Sequence, residues 1–216
     1  MLINLKKAIM FMKVIRKLFF LITVILVGSW VYRNNYEVRA ATNDSISTLK
    51  DYFIRSRSSN TTATSSSGEK TWMNPTATVY LNVKNNQEYN AASQEAIAAW
   101  NKTGVFKFKQ TNNRSNAQII ISEMNSDQTS AAGITSTIYN PMTKHLLRAN
   151  IRLNSYYLQN PSYNYSFNRV VNTIEHELGH AIGLSHTNRA SVMYPTGSYY
   201  AILPNDITRV KSLYNS

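Results

Sequence analysis

The chain has 216 residues, 43% of them apolar, a formal net charge of +12 and no cysteine. One domain of about 150 residues plus an extension fits this length, and the apolar share is too high for a disordered chain. No disulfide can staple the fold, so thiols say nothing about its compartment.

The positive charge is unevenly placed. Residues 1–40 carry seven Lys/Arg against one Glu, and residues 41–216 carry sixteen against ten, so each part supplies +6. Past residue 40 no basic run is interleaved with aromatics, which argues against a nucleic-acid partner and leaves anionic surfaces or acidic substrates.

From the amino terminus, Lys6, Lys7, Lys13, Arg16 and Lys17 precede an uncharged run from Leu18 to Tyr32, which Arg33 ends. A basic stretch before an apolar run is the pattern of a signal peptide, and Val38-Arg39-Ala40 offers a small-residue cleavage site. The same segment also reads as a retained membrane anchor with its basic side inside. The uncharged run is shorter than the ~20 residues that span a bilayer comfortably. Either reading of residues 1–40 exports the chain beyond residue 40.

Residues 41–71 read as a Ser/Thr-rich linker or short pro-region. Arg55 to Lys70 (RSRSSNTTATSSSGEK) has almost no apolar residue with which to offset its ordering entropy. Before it, Ile46, Leu49, Phe53 and Ile54 hint at a short amphipathic segment.

A domain over residues 72–216 begins at Trp72. Thr76 to Val83 alternates apolar and polar residues and predicts a strand. Ala92, Ala96, Ala99 and Trp100 fall at helical spacing within Ala91–Lys102, before Gly104 as a stop. Val105–Lys109, Ile119–Ile121 and Ala149–Leu153 predict three more strands. The order strand, helix, strand, strand, strand, helix gives an α+β layer fold.

The chemistry concentrates in His176-Glu177-Leu178-Gly179-His180-Ala181-Ile182-Gly183-Leu184-Ser185-His186. On a helix His176 and His180 project from one face, one turn apart, as adjacent ligands of a tetrahedral zinc would. Gly183 lets the helix stop in the left-handed conformation, and the returning chain presents His186 as a third ligand. Three protein ligands leave one position open, the pattern of a catalytic site. Glu177 stands beside that position as a general base.

Five residues past His186 comes Ser191-Val192-Met193-Tyr194-Pro195. A long zinc motif followed by such a turn resembles the metzincin metallopeptidases. The Met-Tyr-Pro wording, with Leu203-Pro204-Asn205-Asp206-Ile207 near the end, is most similar to the matrixin branch. The resemblance is specific over residues 176–195 and extends more loosely over 76–214.

It implies a zincin-like α+β fold, a twisted mixed sheet with an active-site helix and a C-terminal helix. It makes His176, His180 and His186 the ligands of one catalytic Zn2+, Glu177 the base and Met193 a hydrophobic floor. Position 195 is Pro, so no tyrosine ligand is assigned. An extended protein or peptide substrate would pair with an edge strand within Gly133–Ile138, beside a pocket wall from Pro195 to Tyr200. Asp206 is expected to brace the last helix, Asp206–Tyr214, and the tyrosines of Tyr156–Phe167 to pack a loop.

Only His145 lies outside the motif among the histidines, and Asp occurs at 44, 51, 127 and 206 alone. A second zinc is not expected and calcium has little support. The expectation is an exported, monomeric zinc endopeptidase, secreted or membrane-anchored. A zinc amidase acting on cell-wall peptides and an inert surface binding module are the alternatives.

Overall fold

The computed structural model of the protein describes residues 2–35, 38, 42 and 70–214. The Ser/Thr-rich run, the apolar spacing at Ile46, Leu49, Phe53 and Ile54, and the cleavage point at Ala40 lie outside the described residues. Contacts divide the chain into two compact units, residues 1–43 and 44–216.

In the first unit helix α1 runs from Leu2 to Asn34, about 50 Å at 1.5 Å per residue. Its part from Ile15 to Asn34 is long and apolar enough to cross a membrane, by length and composition. The helix continues past both ends of the uncharged run, because its flanking basic residues are themselves good helix formers. Two polar side chains are satisfied internally: Thr23 Oγ1 donates to the Phe19 carbonyl and Asn34 Nδ2 to that of Trp30, both at 2.9 Å. Such i−4 bonds remove the main cost of those groups in an apolar setting.

The second unit is built on a five-stranded sheet. Its elements are β1 (Thr76–Asn82), α2 (Gln87–Lys102), β2 (Lys107–Gln110), β3 (Ile119–Met124), β4 (Gly133–Tyr139), β5 (Leu146–Asn154), the one-turn α3 (Ser155–Leu158), α4 (Phe167–Ala181) and α5 (Pro204–Tyr214). The strand order is β2-β1-β3-β5-β4. Every pair is parallel except β4 with β5, which is antiparallel and leaves β4 at the edge. This mixed sheet with helices is the α+β architecture that the sequence implied.

Side-chain alternation explains where the core sits. Ala77, Val79 and Leu81 of β1 are buried between less buried neighbours, whereas Ile119, Ile120 and Ile121 of β3 are all buried, as a central strand requires. Ala92, Ala96 and Trp100 bring α2 against α4, and the Trp100 indole donates to the Glu175 carbonyl at 2.9 Å. That bond ties α2 to α4 within the core.

Boundaries differ from the sequence reading for local reasons. Helix α2 starts four residues early because Asn86 caps it, its side chain accepting from Tyr89 N at 3.2 Å. Strand β2 begins at Lys107, not Val105, where Lys107 N first reaches the Pro75 carbonyl at 2.9 Å. Asp206 does brace the last helix, which starts two residues before it.

Candidate metal centre

Helix α4 carries His176, Glu177 and His180, and a turn built from the same sequence returns His186 to them. The helix opens on Ser166, whose Oγ accepts from Arg169 N at 3.4 Å. It closes at Ile182 with Gly183 at φ 103°. Gly183 N donates to the His180 carbonyl at 3.1 Å, and Leu184 N to that of Gly179 at 2.9 Å. This is the Schellman pattern, and it needs the left-handed glycine. A Cβ on residue 183 would also stand 2.5 Å from the Lys70 carbonyl oxygen.

The three imidazoles converge. His186 Nε2 lies 3.1 Å from His176 Nε2 and 3.1 Å from His180 Nε2, and the ligand atoms of all three lie within 4.8 Å of one another. The edge of a tetrahedron with bonds of about 2.05 Å is about 3.3 Å, so these separations suit a common first-row cation.

The other ring nitrogens are engaged. His176 Nδ1 lies 2.7 Å from the Val192 carbonyl and His180 Nδ1 2.8 Å from that of Leu184. A proton on each Nδ1 satisfies the carbonyl and turns an Nε2 lone pair toward the centre. Burial, and then the neighbouring imidazoles, hold His176 below the usual histidine range and His180 down at about 4, against those carbonyl bonds. Both rings are therefore neutral at pH 7, the form that binds a metal. Nitrogen donors in this geometry fit zinc.

Glu177 is buried beside them, 5% exposed. Desolvation lifts its carboxyl to about 7, against a hydrogen bond from Thr135 that works the other way. The Thr135 hydroxyl lies 2.5 Å from Oε2. Gly133, two residues earlier on β4, makes the room: a Cβ there would be 2.7 Å from both Cγ and Oε1 of Glu177. The sequence reading placed β4 at the cleft but missed Thr135 as a partner of Glu177. The only local signal is a hydroxyl two positions from a glycine on a strand opposite the motif.

Met193 lies fully buried under the helix. Its turn is held from α5: Asp206 accepts from the Ser191 hydroxyl, from Val192 N at 3.0 Å and from Leu203 N at 2.9 Å. Since Val192 also receives His176, one buried carboxylate braces the turn that orients a ring. The returning loop is pinned too, Arg209 Nη2 donating to the Ser185 carbonyl at 2.7 Å.

A cleft of about 460 Å³ opens over the three rings, between Ser130–Thr135 on one side and Tyr194–Ser198 on the other. Tyr194, Pro195, Thr196, Gly197 and Ser198 line it, whereas Tyr199 and Tyr200 do not. Tyr199 lies outside, 4.8 Å from the Arg169 guanidinium, which also stacks on Tyr165 at 4.0 Å and donates twice to the Gly197 carbonyl. Of the four tyrosines before α4, Tyr156, Tyr157 and Tyr163 pack on one another, and Tyr165 reaches the cleft. A larger groove of about 730 Å³ at the ends of β1 and β3 is lined mostly by amide side chains, with Lys84 and Glu123 and without a histidine. The three imidazoles and Glu177 converge in the smaller cleft, which makes it the candidate site.

The matrixin model (Peptidase M10) matches residues 71–215, the whole of the domain that carries this centre. No curated protein matches the chain. With the family match covering two thirds of its length, the chain belongs to the matrixins, a family of zinc-dependent metallopeptidases.

Proposed function

We propose that the protein is an exported zinc endopeptidase in which His176, His180 and His186 hold the metal and Glu177 is the general base. The observation that carries this reading is the convergence of three Nε2 atoms beside one buried carboxylate. Zinc, when bound, supplies Lewis acidity to water and to the scissile carbonyl.

The chain's own residues account for the rest. Strand β4 offers its free edge to an extended peptide, so that backbone hydrogen bonds bind any sequence while the cleft by Tyr194–Ser198 selects a side chain. Glu177, buried beside the three rings, can take a proton from water and surrender it again; with no metal bound, desolvation holds its carboxyl at about 7. The proton goes to the leaving amine as the carbon–nitrogen bond breaks, and the water oxygen stays on the new carboxyl group.

Organisation follows the same reading. Residues 1–40 are the export signal or anchor, 41–71 a spacer and 72–216 the peptidase. The α1 span and the family's extracellular habit support export.

Incubating full-length protein and zinc with casein, and separately with purified cell wall, tests the assignment. Casein cleavage that phenanthroline abolishes supports it. Release of wall peptides alone would favour the amidase, and no hydrolysis of either would leave the binding module.

A further inference from the structure

The two oxygens of Glu177 sit in different surroundings. Oε2 receives the Thr135 hydroxyl at 2.5 Å, within the range of a charge-assisted O–H···O bond. Oε1 packs against Gly133, 2.7 Å from where a Cβ would stand, in room that only a glycine leaves for it. Among the described residues no hydrogen bond reaches Oε1. Both Gly133 and Thr135 line the cleft, so this asymmetry is set by the edge strand and not by the helix that bears Glu177.

We propose that Thr135 is a positioning residue for Glu177: its hydroxyl occupies Oε2 throughout turnover and leaves Oε1 as the oxygen that exchanges protons with water and the leaving amine. This inference rests on the reading of Glu177 as general base. A glutamate side chain has three rotatable bonds, and in a pocket without a second anchor the carboxylate would sample several rotamers. One short bond to a strand residue selects a single orientation, which is the preorganisation that a proton transfer needs.

The donor inventory makes a hydroxyl suitable in both halves of the cycle. When Glu177 is ionised, Thr135 donates to Oε2. When Oε1 carries the proton, Oε2 is the carbonyl oxygen of the acid and still accepts from Thr135. The backbone carbonyl of Glu177, 3.0 Å from the same Oγ1, is a second acceptor, so the hydroxyl never stands unsatisfied. The proton taken from water sits on Oε1 and leaves for the amine nitrogen, and the Thr135 bond neither gains nor loses one.

The bland alternative is that Thr135 is an edge-strand threonine whose hydroxyl merely satisfies a buried acid. Three variants of the full chain separate the two: Thr135→Val, which keeps shape and loses the hydroxyl; Thr135→Ser, which keeps the hydroxyl; and Thr135→Val in a Glu177→Ala background. Positioning predicts a kcat on a fluorogenic peptide lower by about 10–100-fold in Thr135→Val, with KM and zinc affinity within about twofold. It predicts recovery to within a few-fold of wild type in Thr135→Ser, and no further loss when Thr135→Val is added to Glu177→Ala.

A second readout needs no turnover. The side-chain carboxyl ¹³C resonance of Glu177 in metal-free protein, assigned by its loss in Glu177→Ala, should move or broaden in Thr135→Val and not in Thr135→Ser. Wild-type kcat in Thr135→Val, equal losses in the valine and serine variants, or an additive loss in the double variant would each overturn the inference. A zinc-loaded wild type that hydrolyses no peptide would instead overturn the reading beneath it.

Discussion

The sulfur of Met193 fills the space that a methyl group on residue 179 would need, so the fourth residue of His-Glu-Leu-Gly-His is glycine for packing. Nothing about metal binding asks for glycine there. The floor of the centre reaches the helix axis only where a side chain is missing, and Leu184 closes the same gap from the other side.

Gly179→Ala should therefore destabilise the domain by roughly 1–3 kcal/mol through overpacking. Met193 would be pushed down, and Val192, which receives His176, would move with it. Thermal unfolding and a zinc titration check this. In a Met193→Ala background the same change should cost less, because the obstructing atom is gone.

Glu177→Ala should keep the zinc, since the three ligand atoms do not include its carboxylate. Peptide hydrolysis should fall by at least about 10³-fold, the scale of losing a positioned general base together with its charge. Metal analysis of the purified variant beside steady-state kinetics separates the two effects. Turnover near that of wild type would remove Glu177 from the mechanism.

Asp206→Ala removes a fully buried acceptor and strands the Ser191 hydroxyl, Val192 N and Leu203 N. A loss of roughly 3 kcal/mol is expected from those unpaired donors, and zinc affinity should weaken by about 10–100-fold as the support of His176 loosens. Denaturant melts with and without zinc measure both. Equal melting of variant and wild type would show that the brace is dispensable.

Glu175 gives stability a pH dependence of known sign. Burial raises its carboxyl from 4.5 to about 7, Glu95 and Asp206 add to the rise, and the bond from Ile202 N at 3.2 Å only partly opposes it. The folded state thus holds a proton that the unfolded state has lost. Its contribution is full below pH 4.5 and is lost as pH rises through about 7. Glu175→Gln should match wild type at pH 4 and melt higher at pH 8, read as a difference between the two proteins at each pH. A constant difference would refute it.

Much of the centre was legible in the sequence because its candidate ligands come from eleven consecutive residues, His176 to His186, whose spacing alone fixes a face and a turn. Met193 was legible through the family resemblance, as a floor, and Asp206 through its place at the start of the last helix, as a brace for that helix; its bonds to Ser191 and Val192 were not. Thr135 was not, since its contact with Glu177 spans 42 positions and no periodicity encodes a cross-element hydroxyl. The first turn of α2 escaped for another reason: Gln87, Glu88 and Asn90 are polar, and only the Asn86 cap announces them. The pocket wall, expected from Pro195 to Tyr200, ends at Ser198 because Gly197, at φ 85°, and Ser198, at φ 51°, turn the chain away before Tyr199.

The carboxyl end of α4 is finished by residues from both extremities of the domain. The Trp72 indole donates to the Ala181 carbonyl at 2.8 Å, and the Tyr214 hydroxyl to that of Ile182 at 2.9 Å. Trimming the domain at either end would leave one of those carbonyls without its partner, so the helix that bears His176 and His180 is secured from both extremities.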